Sequence, residues 1–253
     1  MKAMILAAGL GTRLRPWTLE HPKALVPVGG IPMLERVIES LKLQGFDEIV
    51  VNIHHFGEQI LDFLAEKDFG IRIDVSDERG RLLDTGGGIL AAGEILFSGD
   101  EAPFLVHNVD ILSNADLESL MRHHEGNGND VTLFTSDRDS SRRLIFDDGG
   151  VLRGWHNLSS DEYRPAGFLP SASDHESAFS GIYVIGKMGW ERLKEYSEKI
   201  GTASFPIMDF FLSACSEGGI GEFKAKDLHL IDIGKPASLK QADLEFSLQL
   251  VFK

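Results

Sequence analysis

The sequence predicts a three-layer α/β/α fold with a mostly parallel sheet, on three observations. Short apolar runs alternate with amphipathic segments through the first 75 residues. The first run, residues 3–8, is apolar at every position, which suits a strand covered on both faces. Glycines or acids follow the first run and the run at 104–107, at the strand ends where a doubly wound sheet places its ligands.

After Gly9 a glycine-rich loop leads to Pro32. Pro32 opens a helix with Leu34, Val37, Ile38 and Leu41 on one face and Glu35, Arg36, Glu39 and Lys42 between them. Residues 48–53 read as the next strand, 58–65 as a helix and 71–75 as a third strand. This βαβαβ order argues for parallel strands with helices on both faces. Residues 104–107 form another strand, and 117–124 a helix with Leu117, Leu120 and Met121 inward. From Asp130 the character changes. Residues 131–135, 143–147 and 151–155 read as short strands separated by Asp, Ser and Gly, a small antiparallel insertion at about 130–176. Residues 159–176 are polar and proline-containing and read as a mobile loop. A strand at 178–185, helices at 190–199 and 207–215, a short strand at 228–233 and a helix from Pro236 complete the chain. No internal repeat appears, and a single domain is expected over residues 1–253.

Hydrophobic residues make up 43% and charged residues 25%, enough apolar material for one large core. The net charge of −14, with no cluster of Lys and Arg, opposes a nucleic-acid or anionic-membrane partner. Phosphates remain possible ligands, because backbone N–H groups, a few basic side chains and a divalent cation set the local field. Cys215, the single cysteine, can form no intrachain disulfide and reads as a core thiol. The N-terminal apolar run is too short for a signal peptide, and no stretch reaches membrane-spanning length, so a cytoplasmic protein is expected. Nothing in the sequence sets an oligomeric state.

The densest motif is Leu6-Ala7-Ala8-Gly9-Leu10-Gly11-Thr12-Arg13-Leu14-Arg15-Pro16. A buried strand emptying into two glycines, a hydroxyl and two arginines reads as a triphosphate cradle: glycines let backbone N–H groups approach an anion, and Arg13 adds charge-assisted bonds. A dinucleotide fingerprint fails, since Leu14 replaces the third glycine and the second strand ends in Asn52-Ile53-His54 without an acid. A Walker loop fails for want of Gly-Lys-Ser/Thr. Pro22-Lys23-Ala24-Leu25-Val26-Pro27 follows within a dozen residues and holds Lys23 between prolines, as a fixed point charge for phosphate oxygens.

Together these two segments resemble the sugar-1-phosphate nucleotidyltransferases, which include glucose-1-phosphate, mannose-1-phosphate and N-acetylmuramate-1-phosphate enzymes. The resemblance implies a Rossmann-like nucleotidyltransferase domain. In it Ala8, Gly9, Gly11, Thr12 and Arg13 hold the nucleotide, and Lys23 contacts the phosphates being rearranged. Asp84-Thr85-Gly86-Gly87-Gly88 is similar to the family's base-recognition loop, nearest to the uridylyltransferases that act on N-acetylmuramate 1-phosphate in cell-wall recycling. Backbone groups at three glycines opening a helix could read a pyrimidine edge. Thr85, Gly86, Gly87, Gly88 and the nearby Glu78 are therefore expected to bind nucleotide.

Asn108-Val109-Asp110 resembles the family's Asn-Gly-Asp motif, whose aspartate binds magnesium, with Val109 in place of glycine. Asp232, in Leu230-Ile231-Asp232-Ile233-Gly234-Lys235-Pro236, resembles the second metal-binding aspartate. Two carboxylates converging on one oxygen-rich site suit a hard cation such as Mg2+. Phe179-Ser180-Gly181-Ile182-Tyr183 resembles the strand that lines the sugar pocket, so Asn108, Ser180 and Gly181 are expected to bind sugar. The family's Glu-Lys-Pro segment is not recognisable. The pairs His54-His55 and His123-His124 are not read as metal sites, because neighbours on a strand point to opposite faces. Trp155 and Trp190 read as core or pocket walls.

The resemblance implies in-line transfer of a nucleoside monophosphate, UTP favoured, to a sugar 1-phosphate, N-acetylmuramate 1-phosphate favoured. Arg13, Lys23 and Asp110 would be the catalytic groups. Guanylyl or cytidylyl transfer to a mannose, heptose or phosphorylated-alcohol acceptor is the alternative. A catalytically silent nucleotide-sensing subunit is the reading from another class, and the retained Arg13, Lys23, Asp110 and Asp232 argue against it.

Overall fold

The polypeptide, a computed structural model describing residues 1–247, runs in the order β1 (Lys2–Leu6), β2 (Pro27–Val28), β3 (Ile31–Pro32), α1 (Met33–Leu43), β4 (Glu48–Ile53), α2 (Gly57–Glu66) and β5 (Arg72–Asp77). Then come α3 (Asp84–Leu96), β6 (Phe104–Asn108), β7 (Ile111–Ser113), α4 (Leu117–Asn127), β8 (Val131–Ser136), β9 (Arg142–Phe146), β10 (Leu152–Asn157) and β11 (Glu162–Arg164). The chain closes with β12 (His175–Ile185), α5 (Lys187–Ile200), α6 (Ile207–Ala214), β13 (Ile220–Lys224), β14 (Leu230–Asp232) and α7 (Pro236–Ser247). Among the described residues, no helix is long and apolar enough to cross a membrane.

The main sheet has the order β11-β10-β9-β12-β6-β1-β4-β5, with β8 pairing β12 and β13 pairing β8. Strands β6, β1, β4 and β5 are parallel, with β1 central among them. β12 joins antiparallel to β6, so the antiparallel part grows from one edge of the parallel set. Side chains alternate between two cores, as period 2 requires. From β1, Ala3 and Ile5 enter the layer shared with α1, α2 and α4, whereas Met4 enters the layer shared with α3, α5 and α6. These are the three layers the sequence predicts.

Residues 159–176 differ from the expected loop. Glu162–Arg164 forms β11 against β10, and β12 begins at His175, pairing with β9. Polar outward residues on an edge hairpin carry no apolar alternation, so the composition reads as loop. β13 also went unread: Ile220–Lys224 lies parallel to β8, beyond the expected sheet. Cys215 is buried as expected, and burial pushes its thiol up to about 11.

Candidate active site

A cleft of about 310 Å³ opens above the C-terminal ends of β6, β1 and β4. Leu6, Ala8 and Gly9 come from β1 and its loop, Asn52 from β4, and Asn108, Val109 and Asp110 from the end of β6. Leu82, Asp84 and Thr85 close it on the β5 side, and Lys23 enters from the loop before β2. A more apolar hollow of about 260 Å³ between α1, β7 and Phe246 includes neither Lys23 nor Asp110.

The two motifs that carry the resemblance are packed onto each other. Gly11 has φ +61, and a Cβ there would sit 2.9 Å from Lys23 Cβ and from Thr18 Cγ2. Glycine therefore serves both the left-handed turn and the close approach of the loop to the lysine. Thr18 Oγ1 donates to Gly11 O at 2.8 Å, and Leu14 N does so at 2.9 Å, closing a tight turn over Thr12–Leu14. Thr12 and Arg13 stand exposed on it, as does Gly9, where a Cβ would meet nothing within 4 Å.

Lys23 Nζ donates to Asp110 Oδ2 in a close ion pair, each side chain 14% exposed. Asp232 lies 122 residues from Asp110, yet β14 pairs antiparallel with β7, setting Asp232 opposite Ile111. Ile233 N then donates to Asp110 O at 3.0 Å, so the two acidic segments meet. Asp232 Oδ1 accepts from Gly234 N at 2.7 Å, and a Cβ on Gly234 would sit 2.5 Å from Arg13 Nη2. Arg13 thus reaches from the glycine loop to the Asp232 turn. Among the described residues no three or more His, Cys, Asp or Glu side chains cluster as a metal cage. Two carboxylates on adjoining segments beside the glycine loop are nevertheless a donor set that fits magnesium, which keeps few protein ligands and takes waters and ligand oxygens for the rest. The Lys23 ammonium on Asp110 shows that this position draws a cation.

Several residues expected to touch nucleotide are instead committed to the fold. Glu78 is buried; its Oε1 accepts from Asn52 Nδ2 at 2.8 Å and its Oε2 from Leu83 N at 3.2 Å. Burial pushes its carboxyl up, opposed by those hydrogen bonds. Thr85 Oγ1 accepts from Ile207 N at 2.8 Å. Gly86, Gly87 and Gly88 lie buried in the first turns of α3. Gly86 N donates to Phe205 O, a Cβ on Gly87 would sit 1.9 Å from Ala203 O, and one on Gly88 would press Glu78 and Asn52. The triple glycine lets α3 pack on residues 203–205 and on Glu78; it does not bare backbone groups to a base. Asp84, left-handed at φ +59, is the exposed member of the loop at the cleft. Gly87→Ala should therefore lower stability. Better helix propensity returns about 1 kcal/mol, but a Cβ 1.9 Å from a backbone oxygen sets the overpacking cost at the upper end of its range, about 2–3 kcal/mol. A melting-temperature drop of about 2–8 °C is expected; an unchanged melting temperature would remove the packing role.

Asn52 was not singled out as a site residue in the sequence. It is buried, and its Oδ1 accepts from Ala7 N at 2.7 Å and Ala8 N at 3.3 Å, fixing the end of β1 where the glycine loop begins. The available signal was one amide between Ile49-Val50-Val51 and Ile53.

On the opposite side, Asn108 packs over Gly181, where a Cβ would sit 2.7 Å from Asn108 Nδ2. Ser180, expected to bind sugar, is buried: its Oγ donates to Phe134 O at 2.6 Å and accepts from Ile182 N at 3.1 Å. Val109 is accommodated with its side chain in the core and its N donating to Leu6 O at 3.2 Å. His107 Nδ1 faces Asn108 O at 2.9 Å, and burial pushes its imidazole down to about 4. The histidine pairs are apart in their contacts: His54 Nδ1 faces Glu78 O and His124 Nδ1 faces Thr132 Oγ1, while His55 and His123 make tilted ring contacts with Phe56 and Phe223. Trp190 lies in the core with Nε1 donating to Leu90 O at 3.1 Å.

Residues 2–247 match the nucleotidyl transferase family. The chain is similar to the mannose-1-phosphate guanyltransferase of Gibberella zeae, 32% identical over 214 residues, which is 82% of this chain and 56% of that protein. It is also similar to mannose-1-phosphate guanylyltransferase 1 of Arabidopsis thaliana, 37% identical over 142 residues, 55% of this chain and 39% of that one. The chain spans about half the length of the curated relatives it matches. The crystal structure of HddC from Yersinia pseudotuberculosis complexed with GMP-PN shares the fold with TM-score 0.74 at 23% identity, covering 97% of this chain and 99% of that one. A putative glucose-1-phosphate thymidylyltransferase from Bacillus anthracis, in complex with a sucrose, does so with TM-score 0.76 at 19% identity, covering 100% and 97%. With its glycine loop, its lysine and its two acidic segments assembled on one sheet edge, and the family match running through residue 247, the chain belongs to the nucleotidyl transferase family.

Proposed function

We propose that the chain transfers a nucleoside monophosphate from a nucleoside triphosphate to a sugar 1-phosphate, releasing pyrophosphate and a nucleotide sugar. The observation that carries this reading is the Lys23–Asp110 pair in a cleft walled by Ala8 and Gly9 of the glycine loop, with Arg13 reaching the Asp232–Gly234 turn whose backbone meets Asp110. Fixed charges of both signs around a phosphate-sized space serve a reaction whose catalysis is positioning and charge neutralisation.

A sugar 1-phosphate oxygen attacks the α-phosphorus, and the bond to the β-phosphate oxygen breaks on the far side, so no covalent enzyme intermediate is needed. N–H groups of the loop over Gly9, Gly11 and Thr12 hold the triphosphate. Arg13 neutralises the leaving pyrophosphate. Lys23, moving its charge from Asp110 to phosphate oxygens, orients donor and acceptor. Asp110 and Asp232 are the residues that would hold magnesium, which when bound supplies Lewis-acid neutralisation at phosphate oxygens. Lys23 keeps the Asp110 carboxylate from standing unpaired.

Uridine, with N-acetylmuramate 1-phosphate as acceptor, is the first reading for the base on the sequence likeness of Asp84-Thr85-Gly86-Gly87-Gly88 to the uridylyltransferase loop; because the three glycines pack inside α3, the base contacts on that side fall to Leu82, Asp84 and Thr85 at the cleft. Guanosine with a mannose 1-phosphate is the second, favoured by the names of the relatives from Gibberella zeae and Arabidopsis thaliana. Four nucleoside triphosphates against a panel of sugar 1-phosphates, scored by pyrophosphate release, decide between them. UTP is expected to exceed the others in kcat/KM by roughly 10- to 100-fold, the worth of one mispaired buried hydrogen bond. A tenfold guanosine preference would move the base assignment and leave the transfer reading standing; no pyrophosphate from any pair would end it.

A further inference from the structure

The sheet arranges its functional groups in a row. Loop 82–85 lies on the β5 side, the glycine loop follows β1, and Asp110 follows β6. The row continues: β12 is antiparallel to both β6 and β8, so β8 ends on the same edge as β6, and β13, parallel to β8, ends there too. Just past the end of β8 comes Arg138, two strands from β6 and so about 10 Å along the edge at ordinary strand spacing.

Arg138 is an odd cation. Its Nη2 donates to Phe179 O at 2.7 Å, two residues from the Gly181 that packs against Asn108. Its Nη1 reaches only Asp139 O at 3.5 Å, and its Nε is buried with no partner. It forms no salt bridge among the described residues, although the chain carries 39 acidic side chains, enough to pair each of its 25 Lys and Arg. Asp232 favours its charge through space, Arg143 opposes it, and burial is the larger opposing influence. A half-buried guanidinium normally brings its own carboxylate, because desolvating a charge without one is costly. Here the guanidinium lines an open cleft of about 610 Å³ with Lys224, Lys226, Asp137 and Asp227, and neither acid forms an ion pair with it. Lys224 is already held by Asp137 at 2.7 Å.

We propose that Arg138 is a specificity-determining residue on the acceptor side, where it binds an anionic group that the sugar carries in addition to its 1-phosphate. The inference rests on the transfer reading above. With the 1-phosphate at Lys23 and Asp110, the sugar extends along the sheet edge toward β8, and a carboxylate or second phosphate on it completes the pairing that the protein leaves open. Acceptors without that group leave Arg138 as it is and gain nothing from it.

The test is direct binding by calorimetry, with and without a saturating non-hydrolysable nucleoside triphosphate, on the whole chain. Two matched pairs differ in the extra anion: N-acetylmuramate 1-phosphate against N-acetylglucosamine 1-phosphate, and glucose 1,6-bisphosphate against glucose 1-phosphate. In one pair the doubly anionic member is expected to bind about 10- to 100-fold more tightly, the range for a charge-assisted hydrogen bond in a partly desolvated site. Which pair responds tells whether the anion is a carboxylate or a phosphate. Arg138→Gln should collapse that ratio to within about threefold of unity, with the loss falling on the doubly anionic member, and Arg138→Lys should restore part of it. No preference in either pair, or a Gln variant that weakens both members alike at unchanged melting temperature, would overturn the proposal. Pyrophosphate release scored in parallel keeps the two readings separate: its absence defeats the transfer reading, while the binding ratio still decides for or against Arg138.

Discussion

Asp110→Ala is expected to lower kcat/KM by roughly 10³-fold or more, at or beyond the upper end of what one transition-state charge contributes. The substitution removes two things at once. It deletes a carboxylate from the pair that fits a divalent cation, and it strands Lys23, whose ammonium loses its partner in a site only 14% exposed. The backbone should hold, because Asp110 O still accepts from Ile233 N and Val109 N still donates to Leu6 O. Melting temperature is therefore expected to change little, so activity lost without stability lost identifies the role. Titrating magnesium against wild type and variant sharpens the result. A variant that retains near-wild-type turnover at limiting magnesium would show that Asp110 is not a ligand. Asp232→Ala is expected to lose activity in the same manner, since β14 holds it beside the Asp110 segment without burying it.

Lys23→Ala is expected to cost about 10²- to 10³-fold in kcat/KM, by the same factor with every nucleoside triphosphate. The lysine stands at Asp110, on the β6 side, whereas loop 82–85 lies across β1 on the β5 side, so a phosphate contact is blind to the base. Arg13→Ala should behave alike, through the leaving pyrophosphate. Lys23→Arg is not expected to restore full activity. Gly11 packs against the lysine stem, which leaves little room to re-aim a planar fork from the same Cβ. Measuring kcat/KM for four triphosphates with one accepted sugar phosphate checks both variants. A loss confined to one base would place Lys23 in base recognition and break the assignment.

The parts of this protein that sequence determined are those set by neighbours along the chain. Local patterning places β1, β4, β6, α1 and α4 to within three residues, because an apolar run or an amphipathic period shows which faces of a strand or helix are covered. The glycine loop and Lys23 were legible for the same reason: both motifs lie within 22 residues, and their chemistry is written in adjacent side chains. Tertiary structure decided the rest, because pairings between distant segments carry no local periodicity. It set the Asp232 segment beside Asp110 by pairing β14 with β7, and put Arg138 on the same sheet edge as Asp110 by pairing both β6 and β8 with β12. The same physics reversed the reading of Gly86–Gly88. A glycine run looks alike whether it bares its backbone to a ligand or yields space to another segment, and only the approach of Ala203 and Phe205 from the loop between α5 and α6 shows which. Glu78 and Ser180 turned inward likewise, since a buried polar side chain must find its partner in the fold, and those partners lie 26 and 46 residues away.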